Sequence, residues 1–270
     1  MLHHLMSRGN DKREMFIDDV DYARYLHLLQ HSAARFGVEV IAFSLMPNHV
    51  HLFVKPNLHP LSRMMQHLNS AYCAWFNRRH GRVGHVLQGR YKSQIVEGGA
   101  SALRVLRYIL LNPVAAGKVA HPAEWAWSSY RNTVAPGDGA TFLALAEVWR
   151  MFDSTNIENA RHAFKALIEQ GMSPEDACDG LLVGSEGFVR SFEPMLAAYR
   201  GDRELVHAER FAARPSLDEV IPNRTRGPDR DRAAHRAFYI YAFTLREIAE
   251  YLQASPSAVW VWTRRATRAA

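Results

Sequence analysis

Apolar positions in the first sixty residues change from helical to strand-like spacing. After acidic residues at 18, 19 and 21, Tyr22, Tyr25 and Leu29 recur near helical intervals until Phe36-Gly37, where the glycine suits a helix end. The stretch 38–45 (VEVIAFSL) is apolar and rich in β-branched residues. The stretch 49–54 (HVHLFV) alternates after the turn Met46-Pro47-Asn48. This pattern predicts one helix followed by two adjacent strands.

The next fifty residues continue the alternation of helix and strand. Leu61 to Arg79 carries its apolar residues on one helical face, and Tyr91 to Val96 predicts a third strand. Ser101 to Leu111 predicts a helix that begins with a capping serine and ends before Asn112-Pro113. Together these elements predict an α+β fold in which helices pack on a sheet. From about residue 140 the pattern changes to helices separated by Gly, Pro and Asp.

These changes of pattern divide the chain into three predicted parts: a domain at 1–135, a helical extension at 136–221, and a basic C-terminal module at 222–270. Pro222 to Arg232 (PNRTRGPDRDR) is basic and poorly apolar, so it is predicted to be a linker. Thr244 to Leu252 then predicts a short amphipathic helix, and Ser255-Pro256 starts a second helix after a tight turn. This spacing is typical of a DNA-binding helix-turn-helix, and an ordinary helical hairpin gives the same pattern.

Composition narrows the class of protein. The 270 residues are 48% hydrophobic and 22% charged, which excludes a wholly disordered, collagen-like or coiled-coil chain. Cys73 and Cys178 form no CxxC pair, which argues against a disulfide scaffold or a zinc finger. No signal-peptide pattern and no apolar run of about 18 residues occurs. We therefore expect a cytoplasmic, nucleoid-associated protein without a membrane partner, and the net charge of +6 favours a polyanionic one.

Two histidines on the second predicted strand form a candidate metal site. His49 and His51 are separated by one residue, so both imidazoles project from the same face of the strand, and Val50 projects from the other. Two imidazoles make an incomplete site for a divalent ion, because a third protein ligand is needed. A chance pair is the alternative, since the chain contains 14 histidines.

A tyrosine and an asparagine near the end of the third predicted helix form a second candidate pair. Tyr108 and Asn112 are four residues apart, so they lie one turn apart on one helical face. If this face turns toward His49 and His51, Asn112 supplies the third metal ligand and Tyr108 a nucleophile beside the metal. The alternative is a half-buried core tyrosine and an ordinary asparagine at a helix end.

A cation-rich segment lies between the second predicted helix and the third strand. Residues 76–92 (FNRRHGRVGHVLQGRYK) contain no acid and include Phe76 and Tyr91 among the cations. Cations for phosphates and flat rings for bases are typical of a single-strand binding surface, whereas a solvated loop explains the same residues. The candidate DNA contacts are Arg78, Arg79, Arg82, Arg90, Tyr91 and Lys92 in this segment, with Arg264 and Arg265 in the last helix.

Five segments are informative because of their order along the chain: HHLMSRGN (3–10), SLMPNHVHLFVKP (44–56), NRRHGRVGHVLQGRYKS (77–93), RYILLNPVAAG (107–117) and WSSYRN (127–132). In this order they resemble the REP-associated tyrosine transposases, which belong to the IS200/IS605-like, single-tyrosine group of HUH nucleases. LVGSEGFV (182–189) and ARPSLDEV (213–220) resemble the tail of longer members. The sequence departs from the family pattern at Leu110, where an acidic residue is common, and at Leu87, where an aromatic is common.

The resemblance implies a fold and a mechanism. The family fold is a ferredoxin-like antiparallel sheet with helices on one face, the HUH nuclease core. His49 and His51 match the HUH histidines, Tyr108 matches the nucleophile and Asn112 matches the third metal ligand. The implied cofactor is one Mg²⁺ or Mn²⁺ ion. The implied substrate is single-stranded DNA with hairpin-forming palindromic repeats, cut and rejoined through a 5′-phosphotyrosine.

Two other functions are compatible with the same residues. A domesticated DNA-binding regulator would use the basic segment and the C-terminal helices without turnover. A metal hydrolase would use His49 and His51 to activate water, and Tyr108 would be dispensable. The sequence leaves monomer and dimer as open alternatives.

Overall fold

The computed structural model describes residues 1–135, 142–152, 156–172, 180–192, 216–221, 227–240 and 243–268. The chain divides into two compact units, residues 1–179 with 183–185, and residues 180–182 with 186–270. The predicted boundaries at 135 and 221 stay predictions. Among the described helices, none has the length and apolar character needed to cross a bilayer.

The described residues of the first unit form a sheet with six α-helices and two short 3-10 helices, Asn10–Lys12 and Pro122–Glu124. The strands are β1 (Leu2–Arg8), β2 (Val38–Met46), β3 (His49–Pro56), β4 (Lys92–Val96) and the short β5 (Leu182–Val183). The helices are α1 (Asp19–Phe36), α2 (Leu61–Arg79), α3 (Ala100–Ala115), α4 (Tyr130–Val134), α5 (Leu145–Arg150) and α6 (Ile157–Glu169).

The sheet has the strand order β2-β3-β1-β4-β5, and β1 pairs antiparallel with both β3 and β4. With the chain order β1-α1-β2-β3-α2-β4, this is the ferredoxin-like arrangement, and the predicted α+β fold class is confirmed. The central strand β1 was absent from the elements predicted by hydrophobic pattern. Its buried positions include His4 and Ser7, so polar residues occupy places where an apolar alternation would have indicated a strand.

One face of the sheet is covered by α1 and α2, as predicted. Tyr25 and Leu29 of α1 and Leu68 and Tyr72 of α2 pack in one core cluster with apolar residues of the strands, including Val50. Asp18 caps the start of α1 by accepting from the backbone N–H groups of Val20 and Asp21, and Gly37 ends it with a positive φ of 62°.

The opposite face is covered by α3, an addition to the predicted layer of helices on one face. Phe53 of β3 packs in a second core cluster with Val105 and Ile109 of α3. Phe164 and Ile168 of α6 belong to the same cluster, so α6 packs around the helix that carries Tyr108. The His49–His51 face of the sheet therefore meets α3.

Two sequence predictions about α3 are wrong. The helix does not end before Pro113 but continues to Ala115, so the helix tolerates the lost N–H hydrogen bond and the crowding by the proline ring this close to its end. Ser101 is not the N-cap residue, since the helix begins after Gly99 and Ser101 is buried inside its first turn. The longer helix places Asn112 within regular helical geometry.

The second unit is helical, with α7 (Glu186–Ser191), α8 (Leu217–Val220), α9 (Gly227–His235), a π-helical turn (Arg236–Ile240), α10 (Leu245–Leu252) and α11 (Pro256–Arg268). The linker predicted at 222–232 is wrong for its second half, because α9 begins at Gly227. The Arg230 guanidinium lies 3.7 Å from the Trp262 ring centroid, a contact that links α9 to α11, and within α9 it pairs with the buried Asp231. Residues 222–226 lie outside the described residues.

The last two helices follow each other closely. Thr244 caps α10 through a capping box with Glu247, and Gln253 ends it in the left-handed region. Val259 of α11 is fully buried with Ile248 of α10. A DNA-binding role for this helix pair stays a prediction.

Candidate active site

The two HUH histidines project from β3 toward α3. Their rings lie 4.9 Å apart between centroids and are mutually perpendicular, and His51 is 1% exposed whereas His49 is half-buried. Val50, between them, points into the core cluster on the opposite face. The strand alternation read from the sequence thus puts both imidazoles on the α3 side of the sheet.

Helix α3 brings the other two predicted residues to these histidines. The Oδ1 atom of Asn112 lies 3.1 Å from Nε2 of His49, across 63 residues of sequence. The Tyr108 ring stands edge-on to the His51 ring at 5.4 Å between centroids and is half-buried. All four candidate catalytic and metal-binding residues therefore lie in one cluster.

A histidine that sequence reasoning missed completes this cluster. His4 of β1 is 5% exposed, stacks on the His51 ring at 5.1 Å, and lies 5.9 Å from the Tyr108 ring. Its Nε2 is 2.9 Å from Nδ1 of His51, and its Nδ1 is 2.7 Å from Oε1 of Gln94 on β4. The sequence offered one signal for His4, its place in the segment HHLMSRGN. Because no strand was predicted there, the side of the sheet on which its side chain lies could not be predicted.

Burial keeps these imidazoles neutral. It lowers the pKa of His4 to about 4, against a smaller opposing effect of the hydrogen bond with Gln94. The pKa of His51 lies well below its ordinary value because of burial, reinforced by His4, His49 and Arg8. Burial also lowers the pKa of His49, partly opposed by Asn112. Neutral imidazoles offer lone pairs, which is the state that metal binding requires.

In one tautomer of His49, two acceptors face each other. Nδ1 of His49 lies 2.7 Å from Oδ1 of Asn48 and Nε2 lies 3.1 Å from Oδ1 of Asn112, so a neutral ring donates to only one of them, and the tautomer that donates to Asn48 leaves its lone pair on Nε2. Neighbouring ligands of an octahedral ion with bonds of about 2.1 Å lie about 3.0 Å apart. The observed 3.1 Å fits an ordinary hydrogen bond between His49 and Asn112 and is also compatible with two donors of one divalent ion.

The donor set depends on the Asn112 amide. Within the described parts of the chain, no group of three or more His, Cys, Asp and Glu side chains is arranged to hold a metal ion. An ion held here would thus bind two imidazoles and a carbonyl oxygen, a mixed set compatible with Mn²⁺ as well as Mg²⁺.

The basic segment places its residues in different environments. Arg78, Arg90 and Lys92 are exposed, and Tyr91 and Arg82 are half-buried. The Arg79 guanidinium pairs with Asp18 at 2.7 Å and with the fully buried Asp21 at 2.6 Å, so it links α2 to the start of α1. Although the segment has no acid in sequence, two acids neutralise this arginine in the fold, and Arg79 is better assigned to the scaffold than to DNA.

Two further residues from the sequence analysis are explained by packing. The suggestion that Phe76 offers its ring to bases is wrong, because the side chain is fully buried. Leu110 of α3 is fully buried, and an acidic side chain at this position would carry a desolvation penalty. In the second unit Arg264 and Arg265 are exposed, and the Arg264 guanidinium lies 5.4 Å from the Trp260 ring centroid.

Comparison with known families bears on the N-terminal part of the chain. The model of the family described as IS200-like transposases matches residues 1–112. The predicted resemblance to IS200-like transposases is confirmed for this part of the chain. This IS200-like region contains His49, His51, Tyr108 and Asn112, and the match supports a transposase function. The comparison with curated proteins finds no match.

Two solved structures are similar to this chain. One is a REP-associated tyrosine transposase bound to a REP hairpin, 18% identical, with a TM-score of 0.43 over 50% of this chain and 79% of that chain. The other is a putative transposase from Deinococcus radiodurans R1, 19% identical, with a TM-score of 0.31 over 36% of this chain and 79% of that chain.

Proposed function

We propose that the protein is a metal-dependent single-stranded DNA endonuclease and strand transferase that acts at palindromic hairpins. The observation that carries the proposal is the meeting of Tyr108 and Asn112 on α3 with His49 and His51 on β3, at a ring distance of 5.4 Å and a donor distance of 3.1 Å. Metal-assisted phosphodiester transfer through a covalent intermediate requires a nucleophile beside a set of metal donors.

Tyr108 is the proposed nucleophile. Its phenolic oxygen attacks the scissile phosphorus, the new Oη–P bond forms and the P–O3′ bond breaks. The phenol loses its proton, and the departing O3′ takes up one to become a free 3′-hydroxyl, while the 5′-phosphate stays on the tyrosine. The reverse attack by a 3′-hydroxyl rejoins DNA and releases Tyr108. The phosphodiester energy is conserved in the phosphotyrosine, so no ATP is needed.

The proposed metal ligands are His49, His51 and Asn112. A bound Mg²⁺ or Mn²⁺ ion supplies Lewis-acid polarisation of the scissile phosphate. The chain contributes neutral imidazoles with directed lone pairs and an amide oxygen held by a helix. The helix also carries Tyr108, so nucleophile and third ligand move as one rigid unit.

The proposed substrate follows from the resemblance to REP-associated transposases and from charge. The exposed cations Arg78, Arg90 and Lys92 are offered to phosphates, and the half-buried Tyr91 stands between the last two in sequence. Single-stranded hairpins present both a backbone for these cations and unpaired bases for stacking.

The test is covalent capture on a labelled hairpin oligonucleotide with Mg²⁺ or Mn²⁺. Full-length protein is expected to retain label after denaturation, and Tyr108→Phe is expected to lose all of it while still binding DNA. Tyr130→Phe is the matched control, because it removes a hydroxyl from a neighbouring helix. A covalent adduct in the Tyr108→Phe variant would show that Tyr108 is not the nucleophile. If wild-type protein binds DNA but forms no adduct, the alternative of a DNA-binding regulator without turnover is favoured.

A further inference from the structure

His4 occupies a position that the proposed chemistry does not use directly. On β1 it pairs directly with Gln94 of β4, and Met6, two residues on, pairs with His51. His4 and His51 are therefore diagonal neighbours on the same face of the sheet, the face that meets α3. Both rings are almost completely buried, at 5% and 1% exposure, so their ring nitrogens have little access to water.

The hydrogen bonds along the row formed by Gln94, His4 and His51 have one consistent direction. Oε1 of Gln94 is an acceptor, so Nδ1 of His4 carries the proton and donates to it over 2.7 Å. In a neutral ring the lone pair of His4 is then on Nε2, where it accepts from Nδ1–H of His51 over 2.9 Å. The His51 lone pair is consequently on Nε2.

His49 reaches the same state through a different partner. In the tautomer whose Nδ1–H donates to Oδ1 of Asn48, the preceding residue, the lone pair of its Nε2 faces Asn112. With His49 in that tautomer, both candidate metal-binding imidazoles have Nδ1 held by an acceptor, and both present Nε2. A ligating histidine generally needs such a partner on its other nitrogen, which fixes the tautomer and the ring orientation.

We infer that His4, oriented by Gln94, is the positioning residue that holds His51 in the tautomer with its lone pair on Nε2. The inference rests on the proposed metal-binding function. His4 is not assigned as a ligand, because its two ring nitrogens are engaged by Gln94 and His51. The row of Gln94, His4 and His51 runs across three adjacent strands, so the sheet itself sets its spacing.

The test measures Mn²⁺ binding to the full-length, DNA-free protein by the paramagnetic resonance signal of the free ion. His4→Phe keeps a ring of similar size without an acceptor and is expected to raise the Kd for Mn²⁺ roughly 10- to 100-fold. His3→Phe is the matched control: His3 neighbours His4 on β1, and its contact is Ser93 Oγ at 3.4 Å. This control is expected to bind Mn²⁺ as wild type does.

Two outcomes of that titration decide the inference. Weaker Mn²⁺ binding in His4→Phe, with the control unchanged, supports it, and wild-type binding in His4→Phe overturns it. If His4→Phe does not fold, Gln94→Leu replaces it, since losing the acceptor frees the His4 tautomer without touching His51. A raised Kd in Gln94→Leu supports the inference, and an unchanged Kd overturns it.

A second readout separates this inference from the proposed function. Nitrogen NMR of the imidazoles reports the His51 tautomer without any metal, and the proton is expected on Nδ1 in wild type. A His51 proton on Nε2 overturns the inference. If wild type shows the expected tautomer but binds no Mn²⁺, the metal role is wrong and the positioning by His4 stands.

Discussion

At the scale of single residues, sequence spacing could predict which two residues share a face of one element, but not that two such pairs from different elements lie in contact. The alternation of a strand puts His49 beside His51, and one helical turn puts Tyr108 beside Asn112. The approach of the two pairs to 3.1 Å depends on tertiary packing of α3 on the sheet. His4 was beyond prediction by spacing, because its partners Gln94 and His51 are 90 and 47 residues away.

The metal ligands should differ in their importance. His49→Ala or His51→Ala is expected to abolish cleavage of a hairpin substrate, whereas Asn112→Ala should reduce it less, since both imidazoles still hold part of the coordination shell. The measurement is the cleavage rate against Mn²⁺ concentration for each variant. Rates that EDTA leaves unchanged in wild type would contradict the metal role.

The Asp18 carboxylate should give the fold a specific acid sensitivity. The hydrogen bond from Arg79 lowers the pKa of Asp18 in the folded protein. A lowered carboxyl pKa contributes stability that is present above the unfolded value, about 3.9, and is lost as pH falls through the folded value. Asp18→Asn keeps a capping side chain but loses the charge.

The melting temperature of Asp18→Asn should therefore lie below that of wild type near neutral pH, and the gap should close as pH falls below about 4. Thermal melts of both proteins across this range measure the gap. A gap that stays constant with pH would mean that the Arg79–Asp18 pair contributes nothing through charge.

At the scale of elements, prediction succeeded for helices with a consistently apolar face and also for a strand, 92–96, whose faces are mixed. The helix at 61–79 and the strand at 92–96 are found at or within one residue of their predicted bounds. It failed for β1, whose buried positions include polar residues. It also failed at Pro113, where a helix end was predicted but α3 continues through the proline. The helix Gly227–His235 overlaps the second half of the linker expected at 222–232, and it is held by a contact to α11 that its polar composition does not reveal.

The packing of α6 around α3 should be a major source of stability. Phe164 is fully buried, with Tyr130 at 5.9 Å and Phe152 at 6.0 Å between ring centroids. Phe164→Ala is expected to cost about 3 to 5 kcal/mol of the free energy of unfolding, through lost burial and a cavity. Ile157→Ala on the same helix is the control, because Ile157 is 56% exposed.

Denaturant unfolding of the two variants measures this difference. A loss below about 1 kcal/mol in Phe164→Ala would be inconsistent with a fully packed side chain at this position. Since α3 carries Tyr108, reduced covalent capture in a still-folded Phe164→Ala protein is the functional counterpart.

At the scale of the whole molecule, charge is concentrated away from the candidate chemistry. The stretch 224–268 contains nine arginines and four acidic residues, whereas the net charge of the entire chain is +6. Several of these arginines are paired with acids, as Arg246 is with Glu250 and Arg232 with Asp229. The exposed Arg264 and Arg265 on α11 are the stronger candidates for phosphate contacts.

Replacing both Arg264 and Arg265 by Ala should weaken binding to long DNA without affecting bond cleavage. Each lost phosphate contact should reduce the log-log salt slope by about 0.7 to 0.9. The Kd for long DNA at several salt concentrations measures the slope, and Arg232→Ala with Arg246→Ala is the control because both arginines pair with acids. An unchanged slope in the first variant would remove α11 from the DNA-binding surface.

The most direct test of the account is to locate the covalent bond. After reaction with a hairpin oligonucleotide and nuclease trimming, trypsin releases Tyr108 in the peptide that ends at Lys118 and contains no other tyrosine. Mass spectrometry is predicted to find the nucleotide adduct on that peptide. An adduct on a peptide containing Tyr91 or Tyr130, or no adduct under conditions in which the DNA is cut, would contradict the assignment of Tyr108.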